Sequence, residues 1–497
     1  MLLRLLTFST VALLSTLPGQ PAWANGSSLI AQADDSETVD EASDDTPSGT
    51  ASDIAPEEAD SAPGEADNET PAEQAPLDAV DQLILEGLTL YEENNLAEAR
   101  ATLEQALTAA RDNENGSQES FALTTLGLVT VNQGDYAAAL DYGEQALTAL
   151  DGIDDPESEV VVLNVLALAH QSQGNFPEAV TYGQEAFTLS ESLEFDSGKL
   201  NSLGILATSY RTVGQYALAL DAAQLAIPLA QSERNGQALF NALNVASSSL
   251  LALEDYETAL TAAQDALTVA TELDSKPGQA LALSNLGVAY YRLENLDQTI
   301  ETQTEALELA EELGALDVQF TALYVLALAY YDQGDLDTAV ELYEQRLALS
   351  RESNAVGAEL QSLLGLSSAY LDSGQYEDAI ASFDDLLVLS KERNQPMFQS
   401  LSLSGLGFAN VQLQNYPAAQ GHLEEALVIA QDVGDREAEF GLLSLLAEVH
   451  QAQDDTQQAE EYAAQAAALQ AEAEAENPAE TEPSDPESAE TESGPEE

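Results

Sequence analysis

The chain has 497 residues, 44% of them apolar, with 89 Asp and Glu against 13 Lys and Arg, for a formal net charge of −76. Nucleic acid and anionic lipid are bound by Lys and Arg that neutralise phosphates, so this balance excludes both as expected partners. Cysteine is absent, which removes disulfides, thiolate metal sites, cysteine nucleophiles and a lipid-bearing N-terminal cysteine.

Residues 1–24, MLLRLLTFSTVALLSTLPGQPAWA, place one cation at Arg4 before an apolar stretch from Leu5 to Leu14. Breakers follow at Pro18, Gly19 and Pro21, then the small-x-small end Ala22-Trp23-Ala24. This layout predicts a secretory signal peptide, and its apolar part is shorter than the roughly 20 residues that span a bilayer. The expectation is an exported protein, periplasmic or secreted, with no stable membrane insertion. Residues 25–78 hold sixteen acids and no Lys or Arg. They can bury too little surface to offset chain entropy and read as a disordered acidic linker. Acids also spread along the rest of the chain, where Lys occurs three times. That distribution favours hydration of the surface in a saline medium over recruitment of a single basic partner.

From residue 79 the chain repeats. Two-residue turns recur every 40 positions at Asn94-Asn95, Gly134-Asp135, Gly174-Asn175, Gly214-Gln215, Glu254-Asp255, Glu294-Asn295, Gly334-Asp335, Gly374-Gln375, Gln414-Asn415 and Asp454-Asp455. Ten copies without an insertion imply units that must stack on one another. Eleven residues before each turn stands leucine, from Leu83 to Leu443, and four residues later a small residue such as Gly87, Ala167 or Gly287. That spacing puts both on one face of a helix, where the small residue admits a close neighbour. Tyr210, Tyr290, Tyr330 and Tyr370 continue the stripe, with His170 and His450 in the same column. Asn or Asp opens the second helix in eight copies and suits an N-cap, and Pro177 and Pro417 fit its first turn. Ala recurs five residues past the turn in nine copies and twelve past it in eight. The second helix therefore packs by small side chains. Arg346 and Leu386 break the later Ala column beside Tyr343 and Phe383, which reads as local repacking. Gly314, Asn354, Asn394 and Gly434 suit left-handed C-caps between copies, and Pro228 should kink its helix. The tenth copy is polar and Ala-rich, as an outward-facing cap should be. Residues 477–497 return to the disordered acidic composition.

These residues resemble the tetratricopeptide repeat, for instance in LGLVTVNQGDYAAALDYGEQAL at Leu126 to Leu147. The likeness departs from the common form in a period of 40 rather than 34 residues and in leucine where Trp is frequent. It is nearer to the long-repeat branch found in bacterial sensor and scaffold proteins. The six additional residues are expected in the second helix and its junction. The implied fold class is all-α, a right-handed α-solenoid of about ten stacked antiparallel helix pairs over residues 79–476.

Stacked pairs should offer a concave wall made by the first helices. The family binds partner segments there, so the resemblance assigns a groove role to Asn164, Gln171, Arg211, Asn244, Tyr291, Arg292, Tyr324 and Tyr331, with Leu128, Leu168, Val288 and Leu328 between them. Arginine in such a groove suits a carboxylate. His170, His422 and His450 are too dispersed for a shared metal site, and DGIDD at Asp151 reads as a junction. No calcium loop, phosphate-cradling loop or nucleophile elbow is present. The expected function is a non-catalytic interaction scaffold without cofactor or metal, binding a protein or peptide segment. The alternatives are a peptide-sensing regulator and an envelope or export assembly factor.

Overall fold

The structure, a computed structural model, describes residues 78–476, so the expected signal peptide, the rest of the acidic linker and the acidic tail lie outside the described residues. The described residues divide into two compact units, one ending at Ala238 and the other beginning at Leu239. In the first unit Ala79–Glu92 (α1) packs on Leu96–Asp112 (α2), and Gly116–Asn132 (α3) on Tyr136–Ala149 (α4). Pro156–Gln173 (α5) then packs on Phe176–Ser192 (α6), and Asp196–Thr212 (α7) on Tyr216–Ser232 (α8). The next helix, Gly236–Ala252 (α9), begins at the division and is followed by Tyr256–Glu272 (α10). The second unit continues with Lys276–Arg292 (α11) on Leu296–Leu313 (α12), and Leu316–Asp332 (α13) on Leu336–Ser353 (α14). Val356–Asp372 (α15) packs on Tyr376–Glu392 (α16), Pro396–Gln412 (α17) on Tyr416–Val433 (α18), and Arg436–Ala452 (α19) on Thr456–Glu476 (α20). The described residues are helical throughout, with no strand among them, which is the fold class the repeats imply.

One backbone device makes every reversal. The first residue of each of the ten turns has positive φ, whether Gly174 at 83° or Glu294 at 58°. The next N–H reaches back five residues, as in Asn175 to the His170 carbonyl (2.8 Å) and Asn295 to the Tyr290 carbonyl (2.9 Å). This bond satisfies a carbonyl that the ending helix would otherwise leave open. The same geometry closes the junctions at Gly314, Asn354, Asn394 and Gly434. In the leucine column, Leu123, Leu283, Leu363 and Leu443 are at most 3% exposed. The interior alanines Ala99, Ala139, Ala179 and Ala259 are fully buried.

Size is matched across copies. A Cβ on Gly143 would fall 2.5 Å from the Leu166 side chain, one on Gly365 2.4 Å from the Tyr343 ring and one on Gly405 2.2 Å from the Phe383 ring. A large residue on a second helix is thus met by glycine on the following first helix, and glycine by a large residue. Tyr210, Tyr290 and Tyr370 bond to Gln184, Gln264 and Glu344 on the preceding second helix, tying copies together.

Two expectations need correction. First helices run 17 or 18 residues in nine copies and second helices 17 or 18 in eight, so the additional length is not concentrated in the second helix. The turn Asn and Asp cap only in part. Asp135, Asp255, Asn295, Asp335 and Asp455 accept a backbone N–H, but Asn175 and Asn415 bond instead to His170 and Asn410, whose side chains lie closer. Pro228 lies inside α8, which runs on for four residues beyond it.

Candidate functional site

The eight groove positions separate by environment. In the first unit Asn164, Gln171 and Arg211 are 1%, 7% and 5% exposed. The Asn164 amide accepts from Ser202 Oγ at 2.9 Å, and Gln171 donates to the Ile205 carbonyl (2.9 Å) and Ser209 Oγ (2.8 Å). Both side chains join α5 to α7 rather than opening onto a wall. Burial also lowers the Arg211 pKa. The expectation of an open face is thus corrected at these three positions, where the side chains are buried and two of them are used between α5 and α7. In the second unit Asn244 accepts from Asn285 at 2.9 Å, again between adjacent first helices.

The other four positions come together in the second unit. Tyr291 and Arg292 end α11, and Tyr324 and Tyr331 lie two turns apart on α13. Tyr291 donates to Asp332 Oδ2 at 2.9 Å, and Tyr331 donates to Asp372, each reaching one copy forward from a first helix. Arg292 is exposed and stands over the Tyr256 ring at 5.9 Å. Burial first, then the bond to Asp372, pushes the Tyr331 phenol up to about 12. Tyr291 is raised in the same way by burial and Asp332, with Arg292 opposing.

Two residues of α14 complete the cluster and were read from sequence only as repacking. Tyr343 is 2% exposed and meets Tyr324 edge-to-face at 6.4 Å. Arg346, also 2% exposed, stands 4.7 Å over the Tyr324 ring and 5.9 Å over Phe320. Its guanidinium donates to the carbonyls of Phe320 (3.0 Å) and Ala358 (2.9 Å), to Ser362 Oγ (2.9 Å) and to Gln361 Oε1 (2.9 Å). All four acceptors are neutral. Burial lowers Arg346 to about 10, which leaves it cationic at neutral pH, with Tyr324 and Tyr343 acting against the shift. Tyr343 is raised by burial and by the phenols of Tyr324, Tyr291 and Tyr331, so four hydroxyls act on one another through space. The signal for these two residues was in the sequence: an arginine in an alanine column and a tyrosine where four earlier copies have Gly143, Gly183, Ala223 and Ala263.

The arrangement offers aromatic surface, phenol hydroxyls and two cations, with carboxylates held by Tyr291 and Tyr331. His170 stacks on Tyr182 at 5.4 Å, and His450 lies 3.2 Å from Asp455 and 5.3 Å from Tyr462; both sit far along the chain from the cluster. Among the described residues no three His, Asp or Glu are placed to hold a metal ion, and no helix is long and apolar enough to cross a membrane.

A tetratricopeptide repeat family model matches residues 158–232, 238–312, 318–391 and 398–472, and a second tetratricopeptide repeat model matches residues 84–152. Among curated proteins no sequence matches this chain. Among solved structures, the chain is similar to a signal transduction ATPase with numerous domains carrying a tetratricopeptide repeat sensor, from Pyrococcus horikoshii. That likeness has 15% identity and a TM-score of 0.50, over 69% of this chain and 55% of that one. The apo quorum sensor NprR from B. thuringiensis matches at 14% identity and a TM-score of 0.44, over 79% of this chain and 98% of that one. A Rap protein complexed with competence and sporulation factor matches at 19% identity and a TM-score of 0.42, over 72% and 98%. At these identities the likeness concerns the fold alone.

Proposed function

Because this chain belongs to the tetratricopeptide repeat family, we propose that it is a non-catalytic interaction scaffold, acting outside the cytoplasm, that holds a segment of another protein on the first-helix face of its second unit. The observation that carries the reading is the convergence of Tyr291, Arg292, Tyr324 and Tyr331 from consecutive first helices. Tyr and Arg supply large contact area at low entropic cost and dominate binding energy at protein interfaces. Here their neighbours hold them in place. Tyr291 and Tyr331 are anchored by Asp332 and Asp372, and Arg292 rests on Tyr256, so little ordering is left to be done on binding. Export is supported by the layout of residues 1–24.

The test selects short linear peptides from a random display library on the chain lacking residues 1–24, then measures their affinity for a Tyr291→Ala/Arg292→Ala/Tyr331→Ala variant. Loss of about tenfold or more is expected, at the scale of one to two interface hot spots, with an unchanged helical spectrum. Peptides that bind wild type and variant alike would place the binding face elsewhere. A library that yields no binder would remove the scaffold reading.

A further inference from the structure

The sixth copy differs from the others in what fills its interior. A Cβ on Gly87 would fall 2.5 Å from Leu103, and one on Gly407 2.4 Å from Leu423, so α2 and α18 each close a leucine over a glycine of their own copy. On α12 the same column holds Gln303, fully buried and 2.5 Å from the Cβ position of Gly287. The other nine copies have Gly, Ala, Leu, Phe or Tyr there. Gln303 Nε2 donates to the Ser284 carbonyl at 2.9 Å, but its Oε1 has no hydrogen-bond partner among the described residues. A buried amide oxygen left without a donor carries its full desolvation cost. Thr299, also fully buried, is the one departure from the alanine column five residues past the turn.

Packing around α12 is correspondingly thin. The apolar core shared by α11, α12 and α13 is Ala280, Leu283, Ala306, Ala310, Val318 and Ala322, four of them alanine. Between α14, α15 and α16 the same role falls to large residues, among them Tyr343, Leu347, Leu360, Leu363, Phe383 and Leu386. Apolar stabilisation scales with the area buried, so the alanine-filled interface is held less firmly. Charge on α12 acts in the same direction. Glu301 and Glu305 are four residues apart, as are Glu308 and Glu312, and Glu311 and Glu312 lie in the last turn of a helix without Lys or Arg. Like charges at that spacing and anions at a helix C-terminus both weaken a helix. Lys276 meets Glu312 at 2.6 Å, but on the surface, where a pair contributes little.

We propose that the sixth copy is an opening point built into the array, where α12 leaves the stack while the copies beyond it hold, and that opening and ligand binding exclude one another. In a stack the stability of each copy is its own plus that of its interfaces, so one weak copy opens by itself. The exclusion rests on the scaffold reading above. It follows from position: α12 packs on both α11 and α13, the helices that carry Tyr291, Arg292, Tyr324 and Tyr331. With α12 docked, Tyr291 reaches Asp332 and the face is whole. When α12 leaves, α11 and α13 lose the helix on which both rest. A segment bound across them holds the copy shut, and opening lets that segment go without unfolding the rest of the array.

The experiment follows amide hydrogen exchange by mass spectrometry on the chain lacking residues 1–24. In the free protein, α12 should exchange about tenfold or more faster than α16 and α18, the scale of one unsatisfied buried group. Gln303→Leu gives α12 the residue that α2 and α18 already close over glycine, and should remove most of that difference. Thr299→Ala, which restores the alanine column, should act in the same direction. Equal exchange in the three helices, or two variants whose α12 exchanges as fast as the wild type, would overturn the opening point. A peptide selected as above, at a free concentration about 100 times its Kd, should slow exchange through opening about a hundredfold in α12 and leave α18 unchanged. If a bound peptide leaves α12 exchange as it was, opening and binding are independent, which overturns the exclusion and leaves the scaffold reading standing. A library without binders removes the scaffold reading and the exclusion together, while exchange in the free chain decides the opening point by itself.

Discussion

Tyr331 and Tyr370 show how a single side chain is spent in this protein. Each phenol donates to a carboxylate of a different helix, Tyr331 to Asp372 and Tyr370 to Glu344 at 3.0 Å. Burial, then the carboxylate, pushes each up to about 12. A phenol held protonated above its ordinary pKa of about 10 stabilises the fold fully below that pH, and loses its contribution as pH rises toward its folded value. Denaturant midpoints should therefore be flat to about pH 9 and fall between about pH 10 and 12. Asp372→Asn should bring the Tyr331 step to lower pH in an ultraviolet phenolate titration. An unchanged titration curve would show that the bond to Asp372 is not formed in solution. The candidate site was half legible at this scale. Tyr291, Arg292, Tyr324 and Tyr331 follow from spacing, because helical periodicity fixes which residues face away from the stripe. The burial of Asn164, Gln171 and Arg211 does not follow from spacing, since it depends on how closely the next copy approaches.

At the level of the element, α8 carries a liability. Pro228 stands exposed within Tyr216–Ser232, where its missing N–H removes one helical hydrogen bond and its ring crowds the carbonyl four residues back. Every later copy has another residue in this column, from Thr268 to Ala468. Pro228→Ala should therefore raise stability by about 1–3 kcal/mol, read as a higher urea midpoint with an unchanged slope. A lower midpoint would mean that the helix is shaped around the proline. The pairing of Tyr343 with Gly365 and of Phe383 with Gly405 belongs to this scale too. Both glycines are plain in the sequence, yet nothing local says which ring each one receives. That partner lies on the preceding second helix, in another copy.

For the whole molecule, charge is the governing term. Self-repulsion among carboxylates in a chain of net charge −76 is screened over about 10 Å at 0.1 M salt and about 3 Å at 1 M. The ion pairs whose loss would oppose this are few and mostly exposed, such as Lys276 with Glu312 and Lys391 with Glu425, and exposed pairs contribute little. Thermal unfolding should move to higher temperature as NaCl rises from 0.05 to 1 M, estimates spanning about that screening range. A midpoint that falls with salt would assign the acids a cohesive role.

The sequence by itself determined that the repeat region is all-helical, that its unit is a 40-residue helix pair, where the pairs reverse and where the leucine stripe of each first helix lies. Those properties are periodic, and a period is visible along one dimension. Only the tertiary structure decided that Asn164 and Gln171 are used between copies, that Arg346 lies buried among neutral acceptors, and that Tyr324 packs against both Arg346 and Tyr343. Each of these depends on side chains from at least two helices meeting across an interface, and no spacing within one helix encodes what the neighbouring helix places opposite it.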